Sequence, residues 1–172
     1  LTVGCGSTHQ SAWEATASGA DTSQSDASQA ERTQMLEEAS AAWAGRDEEA
    51  SVRTAIERWE GALSIDPNDA ESWASLSRAR YFLADCHVRF DESESGQQEF
   101  RATFQAGTQD AERALVSLNS DFAERMRAGT RIEEALDTLD AAAVPALYWR
   151  SSNLGKWASA EGFATLLSYK DE

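Results

Sequence analysis

The stretch from Ile56 to Ala84, IERWEGALSIDPNDAESWASLSRARYFLA, decides the fold. On its first arm Ile56, Trp59, Ala62 and Leu63, with Val52 just before them, recur at the three- and four-residue steps that put side chains on one face of a helix. The arm stops at Asp66, because Pro67 has no N–H and cannot continue the helix. Asn68, with Glu71 three residues later, has the capping arrangement that starts a new one. On the second arm Trp73, Leu76, Ala79 and Leu83 form one stripe, widened by Tyr81 and Phe82. Two amphipathic helices joined by so short a link bury both stripes only by lying antiparallel.

The residue types in this hairpin resemble the tetratricopeptide pattern. Trp73, Leu76 and Tyr81 stand at its helix A positions, and Ala62, Leu63, Asp66 and Pro67 at the end of its helix B. Ser77 replaces the usual Gly, a small residue that still permits close helix packing. The expected fold is all-α, with tetratricopeptide-like antiparallel hairpins stacked as an α-solenoid. Its repeat-defining core is Trp43, Ile56, Trp59, Leu63, Pro67, Trp73, Leu76 and Tyr81. An ordinary helical hairpin within an unrelated bundle is the alternative.

The chain has 172 residues and is 41% apolar with six Trp and six Phe, enough for one domain with a true core. Fifteen basic against 30 acidic residues gives a net charge of −15, spread along the chain. That field repels phosphate backbones and argues against nucleic acid as a partner. No stretch approaches the length of a transmembrane helix. Cys5, His9, Cys86 and His87 match no zinc spacing, so neither a metal nor another cofactor is expected.

The chain divides into three parts. Residues 1–5, ending in Gly4-Cys5, resemble the tail of a lipoprotein signal peptide, with Cys5 as the acylated residue. Residues 6–30 are a Ser-, Thr-, Ala- and Gly-rich stretch in which Trp13 is the one large apolar residue, and they read as a flexible tether. Residues 31–172 form the helical domain, with order beginning near Gln29. There Met35, Leu36, Ala39, Ala42 and Trp43 make the stripe of a first helix, which Gly45 stops in the left-handed conformation. Asp85 to Gln98 reads as an enlarged turn. The apolar face then returns from Phe100 through Phe104, Gly107, Ala111, Ala114 and Leu115 to Leu118. The Ala114-Leu115 pair follows Ala62-Leu63 by 52 residues, where a plain repeat returns after about 34. Asn119 or Ser120 caps a short helix ending at Gly129, and Thr130 with Glu133 forms a capping box for another. From Pro145 to Ala158 apolar residues run nearly all the way round the helix, which makes it central or the wall of a cavity. Because apolar residues continue almost to Glu172 with no polar capping repeat, the array is expected to continue beyond this chain or to be covered by another copy.

The runs Ala41 to Asp85 and Val144 to Ala158, the second reading VPALYWRSSNLGKWA, resemble the T component of tripartite ATP-independent periplasmic (TRAP) transporters, a tetratricopeptide lipoprotein family. The resemblance spans roughly Gln34 to Leu167. It implies a periplasmic protein, anchored to the cell-envelope membrane by lipid alone, that docks with the transporter's solute-binding protein. It also implies a homotrimer with a cavity for an apolar ligand. The aromatic surplus of the second run puts Tyr148, Trp149, Asn153 and Trp157 forward as cavity residues, Asn153 lying one turn from Trp149.

Two functions compete. One is this non-enzymatic transporter accessory, and the other is a general tetratricopeptide scaffold of the cell envelope that grips a protein partner. No phosphate loop, nucleophile motif or metal spacing speaks for an enzyme.

Overall fold

A computed structural model describes residues 9–14 and 25–169. Cys5 and most of the 6–30 stretch lie outside them. Among the described residues the chain is all-α, with no strand.

Helix α1 (Asp26–Ala44) starts three residues before Gln29, where Ser25 Oγ accepts the Ser28 N–H. It ends at Gly45, whose φ of −93° is not left-handed. Gly45 suits the site for another reason: a Cβ there would lie 3.1 Å from Ser51 Oγ. Helix α2 (Glu49–Ile65) buries Val52, Ala55, Ile56, Trp59, Ala62 and Leu63, the expected face. Helix α3 (Ala70–Phe82) is capped by Asp69 and not by Asn68, since Asp69 Oδ1 accepts the Ser72 N–H at 3.1 Å. The turn between them is stitched by Trp73, whose indole N–H donates to the Pro67 carbonyl at 2.9 Å.

The turn expected over Asp85 to Gln98 is mostly helical. After α3 the chain passes through a π-type turn, Leu83–His87, and a 3₁₀ turn, Val88–Phe90. Helix α4 (Glu94–Leu118) then begins with Ser93 as its cap. Val88, one of the two large apolar residues in that stretch, is buried against the α2 and α3 core, which explains why the segment winds instead of looping out.

Helix α5 (Ser120–Arg127) is capped by Asn119, and α6 (Ile132–Ala135) is a single turn led by Arg131, without the Thr130–Glu133 capping box. Helix α7 (Val144–Glu161) carries Pro145 in its first turn, where a missing N–H costs nothing. Gly162, at φ +116°, breaks α7 from α8 (Phe163–Ser168).

Helices α1, α2 and α3 share one apolar cluster that includes Ala39, Trp59, Leu63 and Leu76. Helix α4 packs on α3 on one side and on α7 on the other. The near all-round apolar character of α7 follows from its position: it packs against α3 and α4 and also meets residues 9–14. Those residues belong to the stretch read as tether, yet Trp13 is buried, edge-on to Phe122 at 5.8 Å. The one large apolar side chain of that stretch has found the α4–α5–α7 core.

Candidate functional site

A chain of aromatic rings crosses the body from α2 to α7. Trp59 meets Trp43 at 6.0 Å between centroids, Trp43 meets Phe82 at 5.1 Å, Phe82 meets Trp149 at 6.3 Å, and Trp149 meets Tyr148 at 4.8 Å. Two clefts open along it. One, of about 460 Å³, lies between the first half of α3 and the start of α7, with Ala74, Leu118, Pro145, Ala146 and Trp149 in its wall. The other, of about 320 Å³, lies between α1 and α3 and is walled by Leu36, Ser40, Trp43, Trp59 and Ser72. Glu71, Ser75 and Arg78, on one face of α3, line both. The larger cleft falls within the size range of small-molecule sites, and its lining of apolar groups with a few polar ones is of the kind such sites have.

Arg78 stands where the clefts join. Its guanidinium lies 4.7 Å from the Trp43 ring centroid, a cation–π contact. Its Nε is buried without a hydrogen-bond acceptor, and no described carboxylate pairs with it. Burial, aided by the charge of Arg46, lowers its pKa from the usual arginine value.

The four residues proposed from the sequence for a cavity are divided. Trp149, half-buried, lines the larger cleft. Tyr148 is 61% exposed beside it. Asn153 is wholly buried behind the groove, where its Nδ2 donates to Ser77 Oγ at 3.2 Å and to the Trp149 carbonyl at 2.9 Å. Trp157 packs with Leu154, Phe104 and Ala158 in the interior. Of the repeat-core residues Ile56, Trp59, Leu63 and Leu76 are buried, while Trp43, Pro67, Trp73 and Tyr81 are half-buried at the edges.

Behind the groove lies a polar network that the sequence reading did not name. Glu112, fully buried on α4, accepts from Arg150 Nε at 3.1 Å and from the Ala12 N–H at 2.7 Å, and lies 3.0 Å from His9 Nε2. Asp110 accepts from Arg80 Nε at 2.6 Å, and Arg80 also reaches Glu60. Burial pushes the Asp110 carboxyl up to about 6, with Arg80 opposing the rise. A signal was present, since Glu112 sits on the stripe of Thr108, Ala111 and Leu115, and Arg150 on that of Ala146, Asn153 and Leu154. A charge on an apolar stripe requires a buried partner.

Among the described residues no three His, Cys, Asp or Glu side chains form a group able to hold a metal ion. No described helix is long and apolar enough to cross a membrane. Neither protein-family models nor curated proteins give a match to this chain.

Proposed function

We propose that this chain is a binding and docking protein without chemistry of its own, and that its groove along α1, α3 and α7 receives a ligand with an apolar body. The observation that carries this reading is the aromatic groove, with Trp43, Trp59 and Trp149 along two clefts of ligand size. The consecutive pairing of α1 with α2 and α3 with α4 supports a tetratricopeptide-like stack, in which helices α1 and α3 take the inner positions. On that basis the chain is the accessory T component of a TRAP-type transporter. It is held in the periplasm by acylated Cys5, associates with itself, and docks with the solute-binding protein.

The test mixes the chain with a TRAP-type solute-binding protein from the same organism and follows mass by light scattering. A defined complex is the expected result, and two unassociated species would overturn the transporter reading. A second reading, a general interaction scaffold, draws on Asn153 and Trp157, which serve as interior packing. It expects peptide or protein binding in the groove with no affinity for small apolar ligands.

A further inference from the structure

We propose that residues 9–14 are a clamp that sets how the protein sits on its membrane: they hold the lipid-bearing end of the chain against the α7–α8 corner of the body, so that the exposed apolar face of α8 rests on the bilayer surface. This depends on the acylated Cys5 of the reading above and adds a second membrane contact and an orientation.

The clamp is fastened along its whole length. The His9 N–H donates to Tyr169 Oη at 2.5 Å, and the His9 ring lies 3.0 Å from Glu112 Oε1. The Gln10 carbonyl accepts from Gln109 Nε2 at 2.7 Å, and the Ala12 N–H donates to the buried Glu112. Trp13 is buried against Phe122 with the Arg150 guanidinium over its ring. A lipid on Cys5 is therefore joined to the body at His9, four residues away, and four residues span at most about 14 Å.

Tyr169, which receives the first residue of the clamp, closes the end of α8. Thr165 is the buried residue of that helix. Phe163, Leu166 and Leu167, at the i, i+3 and i+4 positions of the opposite face, are 75%, 39% and 49% exposed. Residues 163–169 carry no charge, in a chain whose net charge is −15. A body so acidic is repelled by anionic headgroups, and it approaches a bilayer best by an uncharged, apolar corner. Three apolar side chains on a short helix bind an interface weakly by themselves. An anchor held close beside them raises their local concentration at the bilayer and makes the contact persist.

The experiment secretes the chain behind a lipoprotein signal peptide and reconstitutes the acylated protein in phosphatidylcholine vesicles. An environment-sensitive fluorophore is placed at Ala164→Cys on α8 or at Thr54→Cys on α2, both exposed positions, in a Cys86→Ser background. On vesicles the α8 label should shift to the blue and lose quenching by iodide, and the α2 label should keep its aqueous spectrum. A long Gly-Ser insertion after Gly6 leaves the clamp docked but frees the anchor from it, and should return the α8 label to its aqueous spectrum while the protein still floats with the vesicles. An aqueous α8 label on floating protein overturns the contact and leaves the acylated Cys5 standing, whereas protein that carries no lipid overturns both. An α8 shift that survives the insertion overturns the clamp. The same shift in unacylated Cys5→Ser protein without vesicles, together with a doubled mass, assigns the α8 face to a second copy and overturns the lipid contact.

Discussion

Arg150 on α7 and Glu112 on α4 form an ion pair with side chains 2% and 0% exposed, and Glu112 also receives the Ala12 N–H. The pair joins the two central helices, and through it residues 9–14 are tied to the body. A charge buried this deeply needs a partner of opposite sign, which each of the two supplies to the other.

Glu112→Ala is therefore expected to cost about 3–5 kcal/mol of unfolding free energy, because it removes the buried carboxylate that Arg150 and the Ala12 N–H share. Asp137→Ala, which breaks an exposed pair with Arg125, should cost less than about 1 kcal/mol. In Glu112→Ala the Ala12 amide should also lose hydrogen-exchange protection. Urea melts that give equal losses for the two variants would show that the buried pair is not what joins α4 to α7.

Asp110 gives a pH dependence of definite sign. Its folded pKa of about 6 lies above the ordinary 3.8, so between these values the folded state holds a proton that the unfolded state has released. Stability from this group is therefore highest below about pH 4 and falls as pH rises toward about 6, by on the order of 2–3 kcal/mol. Asp110→Asn has no such titration. The stability difference between wild type and Asp110→Asn, measured by urea melts across that window, should shift against the wild type as pH rises. A constant difference would place the Asp110 pKa near its ordinary value.

Leu63 and Leu76, 4% and 1% exposed, are in the shared core of α1, α2 and α3. Leu63→Ala or Leu76→Ala should each cost about 2–5 kcal/mol, whereas Glu57→Ala on the exposed side of α2 should change stability by less than about 0.5 kcal/mol. Equal effects at the three sites would mean that α2 presents a different face to the core.

These leucines were legible in the sequence because their burial follows from local periodicity. The cap of α3 was less so: Asp66, Asn68 and Asp69 are all capping types, and only the turn held by Trp73 on Pro67 selects Asp69. Val88 and Trp13 were misjudged for one reason. Each stands in a polar stretch with at most one other large apolar residue, and whether it finds a core depends on helices distant in sequence. Arg78 carried no signal at all. An arginine following Ser77 on an amphipathic helix reads as solvated, and its isolation arises only when α1 places Trp43 beside it. Trp149, by contrast, stood out as an aromatic surplus, and it lines the larger cleft.

Gly107 on α4 lies directly against the Asn153 side chain of α7, and it supplies the last prediction. A Cβ built there would lie 2.5 Å from Asn153 Oδ1, closer than any real contact allows. The Gly107 carbonyl accepts from Ser77 Oγ at 2.7 Å, and Asn153 Nδ2 donates to the same Ser77 hydroxyl oxygen, so α3, α4 and α7 meet at one point. Replacing glycine with alanine inside a helix ordinarily gains up to about 1 kcal/mol of backbone stability. Overpacking at a junction with no slack costs about 1–3 kcal/mol, so Gly107→Ala should be destabilising on balance. Because Asn153 is the obstacle, Asn153→Ala should relieve the strain, and the double variant should be less destabilised than the sum of its two singles. Thermal and urea unfolding of the four proteins measures that coupling. A stabilised Gly107→Ala, or strictly additive losses, would show that α4 and α7 stand further apart than this junction requires.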